Sequence, residues 1–173
     1  TQMVIAYSPR SRFAPMLRAA AQGRRPWWQV LQTPGLRFGR TDPAVDPQGQ
    51  NIIFTMLLAE RFYHQSDLVQ RILGSVQNPA QIFTEPSLLS RLQAGQLDAA
   101  SSYRSAAISH HLPYIPLPDA INLSDPARLA DASRPVQLTI RQPDGKPATL
   151  HPQPLVFYAA VLKNAVQPQL AQA

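Results

Sequence analysis

The sequence feature that most restricts the possible folds is a strand, a rigid loop and a long helix in immediate succession. Residues 36–39 have the apolar character of a short buried strand. Residues 41–49 contain two Asp-Pro pairs and a glycine, a composition that is typical of a rigid loop. An amphipathic pattern of about sixteen residues then opens at Gln48 or Gly49. This order predicts a polar loop at the carboxyl end of a strand, beside the start of a helix.

The start of a helix beside such a loop favours the binding of anions. The N–H groups of a first helical turn have no intrahelical acceptor, and the helix dipole is positive there. The same residues are also good turn-formers and helix caps, so the pattern fits an ordinary loop with an N-cap equally well. Both interpretations stay open at this point.

Strand and helix patterns alternate from residue 3 to residue 117. This alternation predicts an α/β fold with a mostly parallel sheet and helices on both faces. Ligands of such sheets bind beyond the carboxyl ends of the strands. The predicted strands are residues 3–7, 36–39, 81–83, 97–103 and 114–117. The polar residues at their ends include Ser8 and Arg10, the loop 40–48, and residues 101–105.

After residue 118 the periodicity weakens. Residues 136–140 alternate as a strand, a hairpin turn follows at 143–146, and residues 155–162 form a second apolar run. The chain begins almost directly with a strand and ends in a helical pattern from residue 168, so we expect a segment of a longer protein.

Composition narrows the function classes. The 173 residues are 45% hydrophobic and 15% charged, with 16 basic and 10 acidic side chains giving a net charge of +6. The basic residues are scattered, which indicates attraction for small or surface anions, with nucleic acid as a weaker option. There are no cysteines, which excludes disulfides and thiolate metal sites. No window of 18 apolar residues predicts a membrane span.

No enzymatic motif stands out. We find no nucleophile with a matching base and no glycine-rich phosphate loop, so we predict neither catalysis nor a cofactor. The adjacent His110 and His111 point in different directions on a helix end and have no suitably spaced third ligand, so no metal site is predicted. Trp27 and Trp28 are best explained by packing rather than by ligand stacking.

The block Gly39-Arg40-Thr41-Asp42-Pro43, followed by Asp46-Pro47 and Gly49, also carries a resemblance to a known family. The chain resembles the periplasmic molybdate/tungstate-binding receptors of ABC importers, especially the branch that includes archaeal tungstate receptors. Supporting matches run in order along the chain at residues 4–8, 28–31, 34–43, 57–63, 89–98, 103–106, 117–123, 154–158 and 163–165.

The resemblance implies a protein with two α/β lobes that hold an oxyanion in the cleft between them. Residues 1–8 would be one crossing strand and residues 9–154 the second lobe. Residues 155–173 would be the return crossing strand and the start of the first lobe's C-terminal part. It further implies a monomeric periplasmic receptor that captures molybdate or tungstate, delivers it to an ABC permease and binds no nucleic acid.

The resemblance also assigns site residues. Asp46 matches a carboxylate that contacts the metal of the oxyanion, although a role as a turn residue remains open. Ser102 stands where the tungstate branch has a glutamate, which favours a tetrahedral oxyanion held by hydrogen bonds. The backbone N–H groups of Gln48 and Gly49 and the hydroxyl of Tyr103 are the expected donors, with Ser102, Ser105, Arg40 and Arg104 as further candidates.

Three other functions remain possible from the sequence. The same fold type occurs in effector-binding domains of transcription regulators. A receptor of this kind can also serve a different small anion. An enzyme built on a related two-lobed fold is the third possibility.

Overall fold

The structure, a computed structural model, describes residues 1–129 and 136–156. Strands and helices alternate through most of this part of the chain. The elements are β1 (Met3–Tyr7), α1 (Ala14–Ala21), α2 (Trp27–Leu31), β2 (Phe38–Gly39), α3 (Pro47–Phe62), a π-helical turn (Val69–Leu73), α4 (Glu85–Ala94), β3 (Ala99–Tyr103), α5 (Arg104–Ser109), β4 (Tyr114–Pro116), α6 (Pro126–Leu129), β5 (Leu138–Arg141) and β6 (Pro147–Leu150).

The main sheet has four strands in the order β2-β3-β1-β4. β2 and β3 are parallel, whereas β1 is antiparallel to both of its neighbours, β3 and β4. The prediction of a mostly parallel sheet is therefore wrong, and the sheet is mixed. The physical reason is that an apolar run buried on both faces shows that a strand is central, but carries no information on its direction.

β1 is fully buried and separates two hydrophobic cores. Met3, Ile5 and Tyr7 face the larger core, which also receives apolar side chains from α1, α2 and α3. Val4 and Ala6 face the smaller core with α4 and α5. Because successive strand residues point to opposite faces, one five-residue strand contributes to both cores. The predicted placement of helices on both faces of the sheet is confirmed.

α3 begins one or two residues before the predicted start and has 16 residues, a length of about 24 Å. Pro47 occupies its first position, where a missing N–H costs nothing. Ile52, Ile53 and Met56 are almost completely buried on the sheet side. The helix starts beside the carboxyl end of β2 and carries the chain to the opposite end of the sheet.

That opposite end is held together by Asp98, the residue directly before β3. Its buried carboxylate accepts hydrogen bonds from the Ser11 hydroxyl at 2.7 Å and from the Arg37 backbone N–H at 2.7 Å. The Arg37 guanidinium adds an ion pair at 3.0 Å. The carbonyl of Asp98 also accepts from the Ser8 N–H. One residue thus joins the end of β1 to the starts of β2 and β3.

α1 starts at Ala14, after a turn in which the Ser11 hydroxyl accepts from the Phe13 N–H. A π-helical turn is formed by Val69–Leu73. One local prediction needs correction. The strand predicted at 81–83 is a single parallel bridge between Arg40 and Ile82.

The hairpin of β5 and β6 forms a separate antiparallel sheet, and its Leu138 and Ile140 pack against the larger core. Of the strand predicted at 155–162, the two described residues are irregular. The rest of that strand and the terminal helix predicted from residue 168 lie outside the described residues. The N-terminal amino group of Thr1 donates to the Leu155 carbonyl at 3.1 Å, so the first and last described segments run side by side.

Candidate functional site

The starts of three helices meet at one edge of the sheet. α3 follows the end of β2, α5 follows the end of β3 directly, and α4 begins just after the bridge residue Ile82. Between α3 and α4 lies an open groove with a volume of about 500 Å³. Its walls are formed by Thr41, Asp42, Val45, Asp46, Ile82, Phe83, Thr84, Glu85 and Pro86. The groove is at the edge where the sequence predicted ligand binding.

Asp46 lines this groove and caps α3. Its backbone is extended, and its Oδ1 accepts from the Gln48 N–H at 2.7 Å. The second carboxylate oxygen makes no hydrogen bond to the described part of the chain. The capping role of Asp46 is therefore confirmed. Its second carboxylate oxygen can still contact a bound solute. The cap also occupies the Gln48 N–H, which was predicted as an anion donor.

Gln48 and Gly49 support the groove from behind rather than lining it. The buried side chain of Gln48 donates from Nε2 to the Ser101 carbonyl at 2.9 Å and ties α3 to β3. A Cβ on Gly49 would lie 2.4 Å from the Thr41 carbonyl oxygen and 2.7 Å from the Pro43 nitrogen. Only glycine allows the loop to cross the first turn of α3 this closely.

Tyr103 ends β3 next to α3. Its hydroxyl accepts from Asn51 Nδ2 at 3.1 Å. Burial raises the pKa of the Tyr103 phenol, and the nearby carboxylates of Asp46 and Glu85 raise it further, while the Asn51 hydrogen bond opposes them. The phenol therefore keeps its proton at neutral pH. Since no described residue accepts that proton, the hydroxyl is available as a donor.

The side chain of Ser102 lies on the other face of the sheet. Ser102 is paired with Val4, which belongs to the smaller core, whereas Tyr103 is paired with Met3 in the larger one. The buried Ser102 hydroxyl donates to the neighbouring Tyr103 carbonyl at 3.1 Å. The structure thus does not bring this hydroxyl to the α3 side. Ser101, which was not singled out from the sequence, is the serine on that face.

The remaining cationic and hydroxyl candidates have other partners. Arg40 is completely buried, donates to the Ser75 carbonyl at 2.8 Å and does not line the groove. Burial lowers its pKa to about 10, against the effect of Asp42. Arg104 donates to the Tyr114 hydroxyl at 3.2 Å. Ser105 pairs with the Thr1 hydroxyl at 3.1 Å.

The loop between β2 and α3 is ordered by its own side chains. Asp42 accepts from the Ala44 N–H at 2.9 Å, which holds the turn of the loop. The Thr41 hydroxyl is buried and has no hydrogen-bond partner among the described residues. Val45 is 68% exposed, although it is apolar. The groove thus exposes an apolar side chain, while the unpaired Thr41 hydroxyl is buried beneath its surface.

The charge of the groove differs from the prediction. Asp42, Asp46 and Glu85 line it, and no Lys or Arg does. The positive N-terminal ends of α3 and α4 offset part of this negative charge. Asn51 and Glu85 were missed by sequence reasoning. Spacing could have found Asn51, which lies three positions after Gln48 on the same helix face.

The described ranges 1–129 and 136–156 contain no group of three or more His, Cys, Asp or Glu side chains placed to hold a metal ion. Within the same ranges, no helix combines the length and apolar character needed to cross a membrane.

Comparison with known proteins identifies the family. The model of the family described as bacterial extracellular solute-binding protein matches residues 1–173. A putative ABC transporter molybdenum-binding protein of Haloferax volcanii is 38% identical over 143 residues, covering 83% of this chain and 43% of the relative. The molybdate/tungstate-binding protein of Thermococcus kodakarensis is 30% identical over 189 residues, covering 98% of this chain and 51% of the relative. An uncharacterized solute-binding protein of Petrotoga mobilis is 30% identical over 166 residues, covering 95% and 50%. The chain spans about half the length of the curated relatives it matches.

Proposed function

Because this chain belongs to the bacterial extracellular solute-binding protein family, we propose that it is one lobe of the non-catalytic, periplasmic binding component of an ABC importer. The proposed solute is molybdate or tungstate, the ligands in the name of the Thermococcus relative, and the name of the Haloferax relative specifies molybdenum. The family match favours a transport receptor over a regulator domain or an enzyme. The proposed partner in the membrane is the permease of the same importer.

The observation that carries the proposal is the Tyr103 hydroxyl, which Asn51 of α3 holds near the capped start of that helix, behind the residues that line the groove. Asn51 holds the phenol oxygen at 3.1 Å, and the hydroxyl proton has no acceptor among the described residues. A neutral donor of this kind replaces part of the water shell of an oxyanion without requiring a cationic side chain. The free oxygen of Asp46 is available to coordinate the metal centre, which would remove its repulsion of the ion.

The arrangement of the chain ends supports a two-lobed protein. β1 is the single reversed strand of the main sheet, and Thr1 lies against Leu155 at 3.1 Å. We take residues 1–8 and the segment from 155 onward as the two neighbouring connections to the other lobe, and residues 9–154 as the lobe described here. The solute would then bind between the groove and the second lobe, and closure of the lobes would report its presence to the permease.

Calorimetric titration of the full-length gene product tests the solute assignment. Molybdate and tungstate are the ligands, with sulfate and phosphate as controls. We expect saturable binding of the first two and little heat from the controls. A protein that binds none of the four, although it melts cooperatively, would contradict the oxyanion assignment while leaving the family membership intact.

Two substitutions of Asp46 separate its cap from its charge. Asn is about as good an N-cap as Asp, so Asp46→Asn should leave the melting temperature unchanged, whereas Asp46→Ala should cost about 1 kcal/mol of stability. If the carboxylate contacts the metal of the oxyanion, both variants lose at least about tenfold in tungstate affinity, equivalent to the loss of about 1.4 kcal/mol. If calorimetry finds that Asp46→Asn binds tungstate with unchanged affinity, then Asp46 acts only as the N-cap of α3.

Tyr103→Phe keeps the ring and removes the proposed donor. We expect the affinity for molybdate to fall about ten- to a hundredfold, because one hydrogen bond to a charged ligand is worth about 1.5–3 kcal/mol. Tyr114→Phe is the matched control, since it removes another partly buried hydroxyl, one that accepts from Arg104. Equal losses in the two variants would argue against a ligand contact at Tyr103.

The charge of the groove favours a second candidate. Three carboxylates line it without a basic side chain, which suits a cationic or hydroxyl-rich solute better than a dianion. The same receptor would then transport a different class of compound. Thermal stabilisation of the full-length protein by polyamines or sugars, with none from tungstate, would select this alternative.

A further inference from the structure

The arginines of this chain are unevenly distributed. Residues 1–41 contain seven arginines and no Asp or Glu. In the rest of the chain nine basic and ten acidic residues nearly cancel. The net charge of +6 is therefore a property of the first 41 residues, which form β1, α1, α2 and β2. This segregation indicates a cationic surface on one part of the molecule.

Five of these arginines are exposed and have no acidic partner within residues 1–129 and 136–156. Arg40 is buried, and Arg37 is paired with Asp98. The other ion pairs in the described ranges, which join residues 125 with 128 and 144 with 146, involve no residue of this segment. The exposed arginines without a carboxylate in ion-pair distance among the described residues are Arg10, Arg12, Arg18, Arg24 and Arg25.

Aromatic side chains continue this surface. Trp28 lies 6.1 Å from the ring of Tyr63, and Phe62 packs edge-on against Tyr63 at 4.9 Å. Phe62 is 48% exposed. Trp28 is in α2, which directly follows Arg24 and Arg25 in the chain. We give this surface the name arginine–aromatic face. Its residues are Arg18, Arg24, Arg25, Trp28, Phe62 and Tyr63.

The arginine–aromatic face is separate from the groove. Phe62 is the last residue of α3, while Asp46 caps its first turn, so the two sites are about 24 Å apart along the helix. The face is also shallow. The depression beside Arg25 has a volume of only about 60 Å³, too small for a nucleotide or for the anchor side chains of a peptide.

We propose that the arginine–aromatic face binds the surface of a membrane rich in anionic phospholipids. Guanidinium groups bind lipid phosphates, and Trp, Tyr and Phe side chains favour the boundary between headgroups and acyl chains. A shallow surface with diffuse positive charge, the exposed Phe62 ring and the half-buried Trp28 and Tyr63 rings matches a bilayer better than a compact acidic protein site. Binding in this way would hold the protein at the membrane by the end of α3 that is opposite the groove.

Vesicle cosedimentation of the full-length gene product tests this proposal. Vesicles of phosphatidylcholine with and without phosphatidylglycerol are compared at about 50 mM and about 500 mM salt, because screening removes the attraction between exposed charges. We expect binding only to the anionic vesicles and only at low salt. The triple variant Arg18→Gln, Arg24→Gln and Arg25→Gln should reduce partitioning at least about tenfold.

A second triple variant controls for net charge. Arg71→Gln, Arg128→Gln and Arg141→Gln remove the same charge from exposed positions elsewhere. This control should retain most of the binding, and thermal melts confirm that both variants fold. Equal losses in the two triple variants, or no binding to anionic vesicles, would overturn the proposal. Binding to soluble polyglutamate without binding to vesicles would overturn it in favour of an acidic protein partner. None of these outcomes depends on the oxyanion titration.

Discussion

Replacing Asp98 by alanine is expected to lower the free energy of unfolding by about 3 kcal/mol, the largest effect that we predict for a single side chain. The substitution removes the acceptor of the Ser11 hydroxyl and of the Arg37 N–H, both at 2.7 Å. Arg37 itself is half-exposed, so solvent recovers part of the lost ion pair and keeps the cost below that of a fully buried pair. Denaturant unfolding measures the difference.

The same residue should make stability depend on pH. Burial alone would raise the pKa of Asp98, but the hydrogen bonds from Arg37 and Ser11 outweigh it and hold the pKa below its ordinary value. A lowered folded-state pKa means that the stabilisation is complete above the unfolded-state value of about 3.9. It is lost as the pH falls through the folded-state pKa. Asp98→Asn should therefore flatten the acid limb of the stability curve.

Asp125→Asn serves as the control for both experiments. Asp125 forms an exposed ion pair with Arg128 at 3.3 Å, and such pairs contribute less than about 1 kcal/mol. If Asp98→Ala and Asp125→Asn change the unfolding midpoint equally, then Asp98 does not join the strand ends as described.

Gly49→Ala is expected to be the second most damaging change, with a loss of about 2–3 kcal/mol. The new methyl group would meet the backbone of residues 41–43 at 2.4 to 2.8 Å, and backbone atoms cannot turn aside as a side chain can. The loop would have to move off the first turn of α3. Because that loop forms one wall of the groove, we also expect weaker binding of the solute.

Gly23→Ala provides a comparison for this effect. A Cβ at Gly23 meets no atom within 4 Å, but its φ of +72° is in the left-handed region, so the cost is about 1 kcal/mol. Solute affinity should not change in this variant. Calorimetry and thermal melts of both proteins check the prediction, and a smaller loss in Gly49→Ala than in Gly23→Ala would contradict it.

Local patterns predicted most elements of the fold. β1 has the predicted bounds, and α3 starts one or two residues before its predicted start, because Pro47 is tolerated in the first helical position. Strand direction could not be predicted. The reversal of β1 depends on partner strands about a hundred residues away in the sequence. An apolar run of five residues does not specify which strands it pairs with or in which direction.

The site was predicted less completely than the fold. The predicted edge of the sheet carries a groove lined by Asp46, whereas Ser8 and Arg10 follow the reversed β1 at the opposite edge. That the Asp46 carboxylate would take up the Gln48 N–H depends on a rotamer, which the sequence does not specify. The orientation of Ser102 could have been predicted from the sequence. Successive side chains alternate along a strand, so Ser102 and Tyr103 lie on opposite faces of the sheet. Glu85 adds a third carboxylate to those of Asp42 and Asp46, and it comes from a different helix that joins the groove only in the folded chain.

The reversed central strand also has a consequence during protein synthesis. β1 is made before the strands on both of its sides, which follow 92 to 112 residues later. At about 5–20 residues per second, the backbone of Met3–Tyr7 waits roughly 5–20 s for these two strands, whereas α1, α2 and α3 can already cover its larger-core face. During this time the unpaired edges of β1 are exposed to chaperones. A chain truncated before residue 99 lacks both sheet partners of β1, so its exposed backbone can pair with other molecules.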